Sequence, residues 1–158
     1  MLPNVLSMFT LIAALGSGIM AGLYFAFSNS VMGALGRLPA AQGITAMNAI
    51  NVVILNPLFL AVFIGTALVA ALLAVAAILG WTPRPIWVLT GAVLYIAGSI
   101  IVTMAINVPL NNALAASDPN SAAGATLWAG YLDRWVFWNH IRTLACTGAL
   151  AAFIAALM

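Results

Sequence analysis

Lysine and glutamate are both absent from this sequence, and its charged side chains are only Arg37, Arg84, Arg134, Arg142, Asp118 and Asp133. A soluble domain carries about 25% charged residues; here the share is 4%, so water is the wrong solvent for the chain. A net charge of +2 spread over so few sites leaves no footprint for nucleic acid, which is excluded as a partner. Without glutamate there is no dinuclear carboxylate site of the kind built inside helix bundles. A single cysteine, Cys146, forms no intramolecular disulfide and reads as a small packed hydrophobe. The single histidine, His140, is equally limiting, because a catalytic zinc or non-haem iron wants three His, Cys or carboxylate ligands. No cofactor is therefore expected, with a haem or a metal held through His140 as the alternative. No nucleophile elbow is evident, and no hydrophobic segment contains the carboxylate that proton-coupled transport uses.

What is present is apolar: 66% of residues are hydrophobic, with a mean hydropathy of +1.21. Met1-Leu2-Pro3-Asn4 lacks the basic start of a secretory signal and runs directly into a long apolar segment. The pattern predicts an all-α integral membrane protein, a bundle of four transmembrane helices over roughly 5–27, 52–80, 86–107 and 135–157, each near the ~20 residues that cross hydrocarbon. A short interfacial helix is expected after the first span, where Arg37, Pro39, Gln42 and Asn48 interrupt Ala, Met and Leu. Asn56-Pro57 forms a cap-and-first-turn pair, so the second span either starts there or continues from the mid-forties and kinks at Pro57. Trp81-Thr82-Pro83-Arg84-Pro85-Ile86-Trp87 reads as a tight turn anchored at headgroup level by its tryptophans. Pro109 is expected to end the third span. From the Asp118-Pro119 cap signal a helix either continues to Met158 as one rod or, the preferred reading, forms a partly helical loop that breaks near Gly124 or Gly130.

Four spans place both termini on one side of a cell membrane, with the Trp81 to Trp87 turn, and the two longer connections opposite. Arg37 and Arg134 outnumber Arg84, a one-residue vote for those connections facing the cytoplasm; the orientation stays open. Ala14, Gly18, Gly22 and Ala26 recur every four residues, a flat stripe suited to packing within the chain or to a homo-oligomer.

The polar residues converge. Tyr24 and Ser28 end the first span, Asn51 and Asn56 open the second, Thr103 and Asn107 end the third, and Asn139 and Arg142 begin the fourth, all at one membrane boundary. At about 100° per residue, Trp128, Tyr131, Trp135, Trp138, Asn139 and Arg142 share one helix face. His140 points about 160° from Arg142 on that ideal helix. An arginine inside a span costs up to roughly 2.5–3.5 kcal/mol at the bilayer centre. It either snorkels to phosphate or serves a site, and the second reading is preferred.

Gly18-x-x-x-Gly22-x-Tyr24-x-x-Phe27-Ser28, Asn51, Asn56-Pro57, Thr103-x-x-x-Asn107-Val108-Pro109-Leu110-Asn111 and Trp135-x-x-Trp138-Asn139-His140-x-Arg142 run in order along the chain. In these motifs it resembles a membrane protein family formerly called a domain of unknown function, to which fungal anthrone oxygenases belong. The resemblance implies oxidation of an anthrone- or quinol-type lipophilic substrate by dioxygen without a redox cofactor. It implies Arg142, Asn139 and Asn107 as the residues that hold the anion and His140 as the base. Trp128, Tyr131, Trp135, Trp138, Asn51, Asn56, Thr103, Asn111 and Tyr24 would bind the substrate, a lipophilic small molecule delivered from the lipid bilayer. The alternatives are a non-catalytic binding or assembly subunit and, as an oligomer, a transporter of small solutes.

Overall fold

The computed structural model describes residues 2–158, with side chains from Asn4 onward. Four helices are long and apolar enough to cross a membrane: Asn4–Leu35, Pro57–Ile78, Pro85–Ala115 and Ala122–Leu157. They are referred to below as the first to fourth spans. A fifth helix, Ala40–Val53, links the first two, as the polar interruption of that stretch predicts. The chain is an all-helical membrane bundle.

Unequal length is what shapes the molecule. The second span has 22 residues, whereas the first, third and fourth have 32, 31 and 36. At 1.5 Å per residue these are about 33 Å against 46–54 Å, for a hydrocarbon layer of about 30 Å. The three long helices thus overrun the second at the end away from the hairpin, where the short helix Ala40–Val53 takes its place. Two apolar clusters result. The larger, around Ala70, Leu73, Tyr95, Cys146 and Phe153, fills the four-helix part. The smaller, around Ile44, Met47, Leu114, Trp128, Tyr131 and Trp135, lies under the short helix.

Local chemistry sets these boundaries. The helix Ala40–Val53 stops at Ile54, and Asn56 restarts the chain by accepting the Phe59 N–H at 3.0 Å. Proline at the first helical position needs no donor, so two helices form here rather than one kinked helix. At the hairpin, Gly80 takes φ of 75°, the left-handed geometry that closes a helix C-terminus, and Trp81 N–H reaches back to Ala76 O. Arg84 then donates from Nη1 to Ala155 O at 2.9 Å. Leu6, Ser7, Trp81, Arg84, Ala156 and Leu157 line one small cavity, so both chain ends lie with the hairpin.

The helices run further than the sequence signals suggest. The first passes residue 27 through a π turn, Phe27–Val31. The third passes Pro109 and reaches Ala115. Its Val108 N–H bonds to Thr103 O, five residues back, closing the π turn Thr103–Asn107. The register has already widened where Pro109 withholds its donor, so the helix continues. The fourth span is one rod from Ala122, capped by Ser121 Oγ on Gly124 N–H at 2.9 Å. Asp118-Pro119 is a turn before it, with Asp118 Oδ1 accepting from Asn120 N–H. Gly124 does not break the helix; it lets the helix pass the Asp118 carbonyl, which an added Cβ would strike.

Small residues set the close approaches, only partly where the stripe predicts. Ala14 is buried and Gly18 faces Leu150, whereas Gly22 has nothing near its absent Cβ and Ala26 is exposed. The tightest crossings are Gly16 on Thr66, Gly91 on Phe153 and Gly98 on Ala145.

Candidate functional site

The buried face of the fourth span runs through Trp128, Tyr131, Trp135, Asn139, Arg142 and Cys146, the three- and four-residue spacing of one helical face. Trp128 stacks on Tyr131 at 5.5 Å and Tyr131 on Trp135 at 6.3 Å between ring centroids. Asn111 of the third span ties this aromatic ladder to its neighbours. Its Oδ1 accepts from Tyr131 Oη at 2.9 Å and from Trp135 Nε1 at 3.0 Å. Its Nδ2 donates to Asn51 Oδ1 of the short helix at 3.1 Å. Two donors on the oxygen leave the amide no other orientation.

Arg142 is 5% exposed and meets no carboxylate. Its Nη2 donates to Asn139 Oδ1 at 2.5 Å and its Nη1 to Thr103 Oγ1 at 3.1 Å. The guanidinium carbon lies 4.3 Å from the Tyr24 ring centroid and 5.1 Å from that of Trp135. Each such cation–π contact contributes about 0.5–2 kcal/mol, more as water is excluded. Asn139, fully buried, is oriented in turn by donating from Nδ2 to Tyr24 O and Ser28 Oγ, both at 2.6 Å. Tyr24 Oη and Ser99 Oγ pair at 3.0 Å. The arginine is fixed by the first, third and fourth spans together.

Beside it lies a cavity of about 330 Å³, at the level where the second span begins and the short helix ends. Leu23, Phe27, Met47, Phe59 and Phe63 give it apolar walls; Tyr24, Asn51, Thr103, Asn107, Asn111, Asn112 and Arg142 supply polar groups. Three buried polar atoms of these lining residues have no partner: Arg142 Nε, Asn107 Oδ1 and Asn51 Nδ2. Asn107 Nδ2 leans toward Trp135 O at 3.4 Å, which leaves its oxygen the free end. A buried donor or acceptor without a partner costs about 1–3 kcal/mol. All three are closed to solvent, lying within the polar wall and not on its open surface.

Of the residues singled out from sequence, Tyr24, Asn51, Thr103, Asn107, Asn111, Trp135 and Arg142 line the cavity. Asn139 stands behind Arg142 as its support. Trp128 and Tyr131 are buried one layer back, with Trp128 packed on Gly43. Trp138 is half-buried and edge-on to Phe137, outside the cavity. Asn56 is an exposed helix cap, and His140 is exposed on the outer face of the fourth span. Among the described residues no three His, Cys, Asp or Glu side chains gather as a metal site. The sequence did not signal Phe27, Phe59 and Phe63 as walls, because aromatic side chains in an apolar span carry no polar contrast. Ser99 shares an every-four-residue polar row with Tyr95, Thr103 and Asn107, but its pairing with Tyr24 is visible only in the structure.

The family model for anthrone oxygenase matches residues 58–152. The chain belongs to the anthrone oxygenase family. The matched region takes in Thr103, Asn107, Asn111, Trp135, Asn139 and Arg142, and so most of the polar wall; Tyr24 and Asn51 precede it. An oxygenase-like function follows at the level of the family. No curated protein and no solved structure matches the chain.

Proposed function

We propose that this anthrone oxygenase family member oxidises a flat, lipophilic anthrone- or quinol-type molecule with dioxygen, and does so without a redox cofactor. The observation that carries the reading is Arg142: a buried, permanently charged guanidinium, without a carboxylate partner, on the wall of an apolar cavity sized for a small polycycle. The counter-charge belongs to the ligand. An anthrone loses a proton from its CH₂ to give an aromatic oxyanion. The positive charge of Arg142, on the cavity wall, stabilises that charge where it develops. The anion gives one electron to dioxygen, the radical and superoxide combine to a peroxide, and loss of water leaves the quinone. Anthrone and dioxygen thus become anthraquinone and water.

No carboxylate, histidine or lysine lines the cavity among the described residues. The proton therefore leaves to water or hydroxide, and the site acts by lowering the acidity threshold of the substrate, not by positioning a base. His140 is left outside this mechanism. Oxygen uptake by the purified protein in nanodiscs with anthrone, matched by anthraquinone formation, tests the reading. Arg142→Lys should lose about a hundredfold or more of that rate while inserting normally, since a point charge does not reproduce the guanidinium's fixed donors. Turnover at the wild-type rate in Arg142→Lys would refute the role. The lack of a lining base favours one second reading, a non-catalytic carrier that holds the same anion; ligand binding without oxygen uptake would distinguish it.

A further inference from the structure

The cavity has an open side between the second and third spans. The second span packs along Pro85–Tyr95 and Ile96–Ile101 of the third and parts from it at Thr103–Asn107. The edges of this gap are Leu60 and Ile64 on the second span and Met104 and Val108 on the third, all lining residues. Each pair is four residues apart and so shares a helix face. Ile64 is 47% and Met104 59% exposed although both border the cavity, which makes them its mouth. Ile64 lies eight residues past the Asn56 cap, roughly 12 Å along the helix at 1.5 Å per residue, well inside the hydrocarbon layer. At the boundary end Leu55, 62% exposed, and the exposed Asn112 also border the cavity and give it a second opening. There the Asn51–Asn111 hydrogen bond bridges the short helix and the third span and narrows that opening.

We propose that Ile64 and Met104 form a lateral portal through which a neutral, lipid-dissolved aromatic enters the site sideways from the bilayer between the second and third spans. The proposal rests on the ligand class of the proposed function. Passage between four apolar side chains requires no desolvation of an apolar ring system, whereas a hydrophilic anion would lose its hydration there. The polar wall at Arg142 is met only inside.

The test follows binding alone. Anthraquinone, mixed rapidly with the protein in phosphatidylcholine nanodiscs, is followed by quenching of tryptophan fluorescence, to which the cavity-lining Trp135 contributes. Ile64→Phe and Met104→Phe narrow the slit at exposed positions where folding tolerates bulk, and Met104→Ala widens it. Leu144→Phe, at a 69% exposed position away from the cavity, is the control. The portal predicts that both narrowing variants slow association and dissociation several-fold by the same factor, leaving Kd unchanged, that Met104→Ala speeds both, and that the control behaves as wild type. Association equal to wild type in the narrowed variants would overturn the proposal, as would slowing only by Asn112→Phe, which would put entry at the aqueous end. A changed Kd with unchanged association would make Ile64 and Met104 walls of the site and not its entrance. No turnover is read, and the oxygen-uptake assay with anthrone tests the enzymatic reading separately.

Discussion

Arg142 is held by acceptors that are all neutral: Asn139 Oδ1, Thr103 Oγ1 and two aromatic faces. Supplying a carboxylate from the protein should therefore empty the site. Thr103→Asp places one against Nη1, and is expected to abolish anion binding with a melting temperature no lower than that of Thr103→Val, which only removes a hydrogen bond worth about 0.5–1.5 kcal/mol. Equal ligand affinity in the two variants would argue against a charge-based site. His140, exposed and remote from the cavity, predicts the opposite pattern: His140→Ala should retain full oxygen uptake, and a hundredfold loss would restore it as the base. At this level much was legible in the sequence. An arginine seven residues from an aromatic and three from an asparagine, inside an apolar run, identifies its own face. What the sequence withheld was depth. Trp138 and Asn56 carry the right chemistry but lie outside the cavity: Trp138 sits at the edge of a face about 100° wide, and Asn56 is spent capping the second span.

The spans show where sequence signals compete with packing. Pro109, Gly124 and Gly130 are all helix-ending or helix-weakening residues, yet none ends a helix. At Pro109 a π turn has already shifted the hydrogen-bond register. That turn also serves the site: residues spaced by four drift about 40° per step on an α-helix, and widening the turn draws Thr103 and Asn107 back into one row toward the cavity. Propensity alone does not reveal this, because π turns arise from tertiary demand. Gly130 is exposed, with open space where a Cβ would sit, so the buried ladder of Trp128, Tyr131 and Trp135 carries the helix through it. Gly130→Ala should stabilise the protein by about 0.5–1 kcal/mol, read as a rise in melting temperature. Gly98→Leu should destabilise it by about 1–3 kcal/mol or more, since Ala145 occupies that space; equal melting temperatures would contradict the observed crossing of the third and fourth spans.

The whole molecule is one short span among three long ones, and the cavity lies at the step between them. The four-helix class, the short linking helix and the gathering of polar groups at one boundary all follow from composition and periodicity. The step does not, because it depends on how far each helix continues past its polar end. It places a charged side chain beside an apolar cavity, the setting in which the proposed function has a neutral molecule enter and be held as its anion. A coloured ligand reports this. We would bind a hydroxyanthraquinone to the protein in nanodiscs and titrate its phenol by absorbance, against the same probe in protein-free nanodiscs. Arg142 favours the charged form, so the bound probe should ionise at lower pH than in lipid alone, and Arg142→Met should remove the shift. A bound probe that ionises as it does in lipid, or a shift that survives Arg142→Met, would contradict an anion-stabilising site built around this arginine.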